Sequence, residues 1–424
     1  MFASTADNRE KPVVRNGRIG LVEPTGRRVR ALVVHDGALL GVLPPFEVTS
    51  PWWSDVEPVA AELDRRLGAR TAVLRMVTAT GIGMRGGEVT YVAEALTPPT
   101  SPPEWDGAPD PGVLAPQEHR MRWAEPGGPA RVLDWAAAEL RALEQPLTGP
   151  PVQVKSWNLS CLYRLPTTAG PVWIKCTPPF LGPEALAAGY VAQHDPDLVP
   201  TVLASTTDGG CTLMADVPGR DCWDADASTI GGVLPRYVTV QAALAGHALP
   251  ALPDRRVSTL AARAERLLAP DVTGELDAAE RQALTRVVAE LPHRAAAIAA
   301  AGLPETLLHG DFHPGNWRSD GRRHVVFDWC EGSRGHPACD VLRLAGWLPA
   351  PLAELAAELW AAEWRAAVPG CDPDRAAELV RPVQHLEAAL TYQRFLDGIE
   401  PDERRYHEGD PADQIREALA HCRT

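Results

Sequence analysis

The stretch HGDFHPGNW (309–317), followed by the apolar run HVVFDW (324–329), limits what this chain can fold into more than any other feature. The apolar residues of ETLL lead in and those of VVF follow, so short strands flank a turn made by Pro314 and Gly315. On that turn Asp311 and Asn316 stand five residues apart, and Asp328 closes the second strand. These side chains are hard oxygen donors presented from loop and strand ends. Mg²⁺ takes such donors while it keeps several waters and binds substrate phosphates. Asn316 and Asp328 are the expected metal ligands. Asp311, facing the other side of the loop, is placed to accept a proton from an attacking hydroxyl.

At 424 residues the chain exceeds a single core, so more than one domain is expected. Strand-like alternation around the turn at His35-Asp36-Gly37, a helix over 54–68 capped by Ser54 and stopped by Gly68, and two further strands predict a small β/α unit over residues 1–97. A Pro- and Gly-rich linker occupies 98–129. Next comes a β-rich lobe over 130–220, with a helix over 130–145 and another starting near Pro183. Residues 221–424 read as mostly helical, with segments near 230–247, 257–269, 277–301, 337–346, 350–367, 373–398 and 411–422. The fold class is therefore α+β.

No apolar run reaches membrane-spanning length, and the first residues lack the apolar core of a signal peptide, which predicts a cytoplasmic protein with no membrane partner. The eight cysteines form no CxxC pair and read as reduced thiols. A net charge of −14 argues against nucleic acid as a partner and is compatible with a cationic small substrate. The oligomeric state is not legible.

HGDFHPGN followed by FDW resembles the signature of the aminoglycoside phosphotransferase and choline kinase superfamily, relatives of the protein kinases. The resemblance implies a two-lobed, protein-kinase-like fold and a Mg²⁺-dependent kinase that uses ATP or GTP on a hydroxyl of a small, amine-bearing metabolite or antibiotic. It implies Asp311 as catalytic base, Asn316 and Asp328 as metal ligands, and His309 as a structural residue of the motif. Asp340, in RGHPACDVLRL, would brace the loop, while His336 stands where the family often has Asp.

Such a site needs a cation on the triphosphate, held by a Glu. Of 41 basic residues only Lys11, Lys155 and Lys175 are Lys. Lys175 lies on an apolar strand, and Glu184 follows at a helix start nine residues on. Lys155, the main rival, reads as a solvated strand residue. Backbone amides near Ser156 and Asn158, or a side chain such as Ser160, are placed to cover phosphates. The segment Met214 to Val217 resembles the hinge that meets the nucleotide base, unless Asp216 merely caps a turn. For the acceptor, Glu387, Tyr392, Asp397 and Glu400 are offered by the 373–398 helix and its end, with Gln384, Glu387 and Thr391 close on one face.

The N-terminal unit weakly resembles a Nudix fold, but AELDRRLG matches the metal-holding box only at Glu62, with Arg65 and Arg66 replacing its Glu pair. Pyrophosphate hydrolysis is therefore disfavoured, and a docking or capping module is expected. The alternative to a kinase is a nucleotide-binding pseudokinase that recruits a partner through this unit.

Overall fold

The computed structural model describes residues 26–100, 105–106 and 110–422. Lys11, the N-terminal stretch before Gly26 and parts of the linker lie outside the described residues.

The N-terminal unit comprises β1 (Arg27–His35), β2 (Ala38–Val48), α1 (Glu57–Leu67), β3 (Thr71–Ala79) and β4 (Glu88–Ala95). The β1–β2 turn works because Asp36 and Gly37 both adopt positive φ, the geometry of a tight hairpin. The sheet order is β2-β1-β4-β3, with β1 and β4 parallel. Val59, Leu63 and Leu67 of α1 pack on the sheet's apolar face. Gly68 ends the helix in the left-handed conformation, but the helix starts after Val56, and Ser54 does not cap it. The Ser54 carbonyl instead accepts the Ser156 amide.

The small lobe begins with α2 (Gly128–Ala142). Its strands are β5 (Val152–Trp157), β6 (Ser160–Thr167), β7 (Gly170–Cys176), β8 (Val202–Ser205) and β9 (Cys211–Ala215), with α3 (Glu184–Ala192) between β7 and β8. They form an antiparallel sheet in the order β5-β6-β7-β9-β8. Strand alternation divides β7 cleanly. Val172 and Ile174 pack beneath α2 with Leu165 and Leu213, while Trp173 faces the other way with Val154, Leu162, Met214 and Phe327. Lys175 falls on the Trp173 side. Cys176 and Cys211 are register partners and form a disulfide, which corrects the expectation of reduced thiols throughout; the other six cysteines are free. The exposed edge of β5 is covered by the N-terminal unit: Val56 donates to Val154 and Ser156 donates to Ser54, each at 3.1 Å.

The helical lobe contains β10 (Arg220–Asp221), α4 (Ala227–Ala243), β11 (Asp254–Arg255), α5 (Val257–Ala264), α6 (Pro270–Thr273), α7 (Ala278–Ala300), β12 (Thr306–Leu308), β13 (Trp317–Ser319), β14 (His324–Val326) and β15 (Ser333–Gly335). It closes with α8 (Ala338–Ala345), α9 (Ala350–Ala367), α10 (Pro373–Gly398) and α11 (Asp410–His421). The segment expected to be one helix over 257–269 divides into α5 and a 3-10 turn at Glu265–Leu268. One core runs through α4, α7, α9, α10 and α11 and takes in Phe312, Trp317 and Trp329, so the loop of interest sits on packed side chains. Two small sheets, β10-β13-β14 and β11-β15-β12, bracket that loop. Among the described residues no helix is long and apolar enough to cross a membrane.

Candidate active site

Strand β12 delivers the chain to His309 and Gly310. Gly310 has φ +88°, and a Cβ there would meet the Glu331 carbonyl oxygen at 2.5 Å, so the turn admits only glycine. Asp340, at the start of α8, accepts from the amides of His309 (2.8 Å) and Gly310 (3.1 Å) and from the Tyr237 hydroxyl (2.6 Å). Burial raises the pKa of this carboxyl, and the hydrogen bonds oppose that rise. His309 is fully buried, and burial holds its pKa below the usual range. Its Nδ1 accepts the Asp311 amide at 3.2 Å, so Nε2 carries the proton and donates to the Phe327 carbonyl at 2.9 Å. One neutral ring thus ties the Asp311 loop to the residue before Asp328. His336 accepts the Ala338 amide through Nδ1 at 3.2 Å, which is the work an Asp would do at the head of α8.

Asp311 is fixed from several sides. Arg343, one turn along α8 from Asp340, donates to Oδ1 through Nε (2.9 Å) and approaches it with Nη2 (2.8 Å). His313 Nε2 lies 3.3 Å from Oδ2, its Nδ1 being used by the Gly315 amide, and its ring stacks on Trp347. Asn316 donates through Nδ2 to the Asp311 carbonyl at 2.9 Å and to Oδ2 at 3.3 Å. Burial would raise the Asp311 pKa, but the His313 and Arg343 charges outweigh it and hold the carboxyl well below the ordinary range.

Asp328 adopts φ +70°, ψ +53°, a conformation that costs a non-glycine residue free energy and is characteristic of functional turns. Lys175 reaches across from β7 to contact Asp328 Oδ1, and its Nζ is 2.9 Å from Glu184 Oε2. The other Glu184 oxygen accepts the Trp329 amide at 3.2 Å. The Lys175 and Glu184 side chains are only 4% and 3% exposed, so this ion pair is shielded from water, while Asp328 is 17% exposed. Burial opposes the Lys175 charge, and the Asp328 and Glu184 carboxylates more than restore it. The structure therefore joins Lys175, Glu184 and Asp328 in one cluster, and Asp311, Asn316, His309 and Asp340 in a second, linked through Phe327.

Other expected site residues lie elsewhere. The Ser156 hydroxyl donates to the Leu74 carbonyl and the Asn158 side chain to the Glu403 carbonyl, so both side chains are buried structural groups, and the Ser156 amide is taken by the Ser54 carbonyl. The Ser160 hydroxyl accepts from Trp157. Lys155 is not solvated: it is buried and lies 3.4 Å from Asp55. Met214 and Val217 are buried at the end of β9, and Asp216 accepts from Trp173 Nε1 at 2.7 Å. Glu387 is gripped by Arg263, Asp397 by Arg266, and Glu400 by Arg120, so each of these carboxylates already has a guanidinium partner. Gln384 and Thr391 lie on α10 with Glu387. Tyr392 lies in the field of Arg343 and Asp311, with burial raising its pKa to about 12. In the N-terminal unit, Glu62 is paired to Arg65 and Arg66, and among the described residues it belongs to no cluster of three or more potential metal ligands. Sequence reasoning missed Arg343 and His313 as contacts of Asp311. Their positions in DVLRL and FHPGN were visible, but the convergence needed the fold.

Residues 177–379 match the APH phosphotransferase enzyme family, a span that holds Glu184, Asp311, Asn316, Asp328 and Asp340 and begins two residues after Lys175. Among solved structures, the chain is similar to a choline/ethanolamine kinase family protein from Mesorhizobium loti, at 18% identity and a TM-score of 0.48, covering 69% of this chain and 99% of that one. It is also similar to choline kinase LicA from Streptococcus pneumoniae (13%, TM-score 0.47, covering 69% and 98%) and to a macrolide 2′-phosphotransferase from Brachybacterium faecium (18%, TM-score 0.43, covering 65% and 97%). No curated protein matches the chain.

Proposed function

We propose that this chain is a small-molecule phosphotransferase, a reading supported by the match of residues 177–379, and that it moves the γ-phosphoryl group of ATP or GTP onto a hydroxyl of a small metabolite or antibiotic. The observation that carries the reading is Lys175, drawn across from the small lobe to a carboxylate on each side, Glu184 and Asp328, next to the loop that presents Asp311. Lys175 is the cation for the transferred phosphates, and Glu184 keeps it aimed. The apolar face carrying Trp173, Val154, Leu162 and Met214 beside Lys175 suits a purine ring.

The donor set fits a divalent ion. Asn316 spends its amide hydrogens on Asp311, which leaves its side-chain oxygen available, and Asp328 offers a carboxylate held ionised by Lys175. Bound there, Mg²⁺ would neutralise phosphate charge. Asp311 accepts a hydrogen bond from the acceptor hydroxyl, orients it for in-line attack and takes its proton as the bond to phosphorus forms. A carboxylate held this acidic acts more by orientation than by basicity, so positioning and charge neutralisation supply most of the rate.

The test is to incubate the protein with Mg²⁺, ATP or GTP and a panel of hydroxyl-bearing compounds, including amino alcohols, amino sugars, hydroxy acids and neutral polyols. Nucleoside diphosphate and a new phosphate monoester in ³¹P spectra are the expected products. Nucleotide binding with no turnover on any acceptor would replace this reading with that of a binding scaffold.

A further inference from the structure

Beside Asp311 the helical lobe gathers more positive charge than its acids consume. Four arginines, Arg255 from β11, Arg263 from α5, Arg343 from α8 and Arg394 from α10, share a cluster with Asp311, Glu331 and Glu387. Two of the four are matched. Arg263 uses both Nη groups on Glu387, and Arg343 is committed to Asp311. The other two share Glu331 poorly. Arg255 Nη2 lies 3.8 Å from it, outside hydrogen-bond range, and is buried with no hydrogen-bond partner among the described residues, in a side chain only 10% exposed. Arg394 has both Nε and Nη2 buried with no hydrogen-bond partner among the described residues.

Buried guanidinium groups left like this are costly. Burial and the neighbouring Arg255 pull the Arg394 pKa down to about 10, a measure of how poorly its surroundings meet its charge. Glu331 does not repair the deficit, because burial and Asp311 push its own pKa up and weaken it as a counter-charge. The cluster reaches solvent at Asp311 and Arg343, whose side chains are 27% and 25% exposed, and Glu331 lies in the field of Asp311, Arg255 and Arg394 alike.

We propose that the acceptor of this phosphotransferase carries an anionic group, a carboxylate or a phosphate, which Arg394 and Arg255 bind beside the reacting hydroxyl. The inference rests on the phosphotransfer reading above and narrows its substrate class. It replaces the amine expected from sequence, since Glu387 and Asp397, the acids that would have held an amine, are occupied by Arg263 and Arg266. The planar fork of each guanidinium matches both anions, and a bound anion supplies the missing hydrogen-bond acceptors.

The experiment compares acceptors in matched sets on one carbon skeleton: a hydroxy acid, its amide, the corresponding amino alcohol and the corresponding phosphate ester. Wild-type protein, Arg394→Gln, Arg394→Lys and Arg255→Gln are assayed with Mg²⁺ and ATP, and circular dichroism confirms folding. The wild type is expected to turn over a carboxylate- or phosphate-bearing acceptor in preference to the amide and amine, and the two anionic arms show which group is taken. Arg394→Gln and Arg255→Gln should each raise the acceptor KM roughly 10- to 100-fold with kcat and the nucleotide KM little changed. Arg394→Lys should recover part of the loss. Preference for the amine or the neutral amide would overturn the proposal while leaving the kinase intact, as would Gln variants that alter only the nucleotide KM or leave the acceptor KM unchanged. Nucleotide binding with no phosphate ester formed in any arm would instead sink the phosphotransfer reading beneath it.

Discussion

Lys155 and Lys175 stand in one row of the small-lobe sheet, each a register partner of Leu162 on the strand between them, yet they serve opposite regions. Lys155 belongs to the joint with the N-terminal unit. There it meets Asp55, while Arg75 and Arg120 close on Glu400, with Asp402 also on Arg75. Lys175 belongs to the cleft, where it joins carboxylates from two elements beside a left-handed Asp328 and, further on, the under-matched arginines. Both regions are ionic and buried. In the joint, charge matches charge and the result is cohesion. In the cleft, backbone strain and surplus cations persist, and such features accompany function because stability alone would have removed them.

Four substitutions or conditions would break or sharpen this contrast. Glu400→Gln leaves Arg120 without its buried counter-charge and should cost about 3–5 kcal/mol of stability in denaturant titration, with kcat per folded molecule unchanged. Lys175→Met should lower turnover per folded molecule about 10²–10³-fold in a steady-state assay, and it should also cost stability, because Glu184 loses its buried counter-charge. Lys155→Met should lower stability by about 1–3 kcal/mol, less than Glu400→Gln because Asp55 is 25% exposed, and should spare turnover. If the two lysine variants exchanged phenotypes, the division between joint and cleft would collapse.

The fourth concerns pH. Glu403, whose oxygen accepts the Met76 amide at 3.4 Å, has its pKa raised from 4.5 to about 8, chiefly by burial and then by Glu400. The folded state therefore binds a proton that the unfolded chain releases. The stabilisation is complete below pH about 4.5 and is lost as pH rises to about 8. The slope cannot exceed about 1.4 kcal/mol per pH unit, and Glu403→Gln should flatten it in melting curves taken across that window.

The cleft was far more legible in the sequence than the joint. The Asp311, Asn316 and Asp328 spacing sits inside one short segment, and Lys175 and Glu184 are nine residues apart across a strand-to-helix boundary, so local pattern carried them. Helix limits were readable for the same reason: α9 and α10 occupy the residues their periodicity predicts. Lys155 was misread, and the burial of the Ser156 and Asn158 side chains was not legible, because their partners, Asp55, Leu74 and Glu403, lie about 80 to 250 residues away, and nothing local announces that an edge strand is covered. The Cys176–Cys211 bond needed the β7–β9 register, and Arg394 needed the packing of α10 against the 331 turn.

The most direct measurement is a pair of experiments on Asp311→Asn: nucleotide titration by calorimetry with Mg²⁺ present, and phosphate-ester formation with the best acceptor. The expected result is nucleotide affinity within a few-fold of wild type and turnover lowered by about 10²–10⁴-fold or more. A variant that binds nucleotide normally and still phosphorylates at a near wild-type rate would contradict the assignment of Asp311 and, with it, the reading of this cleft.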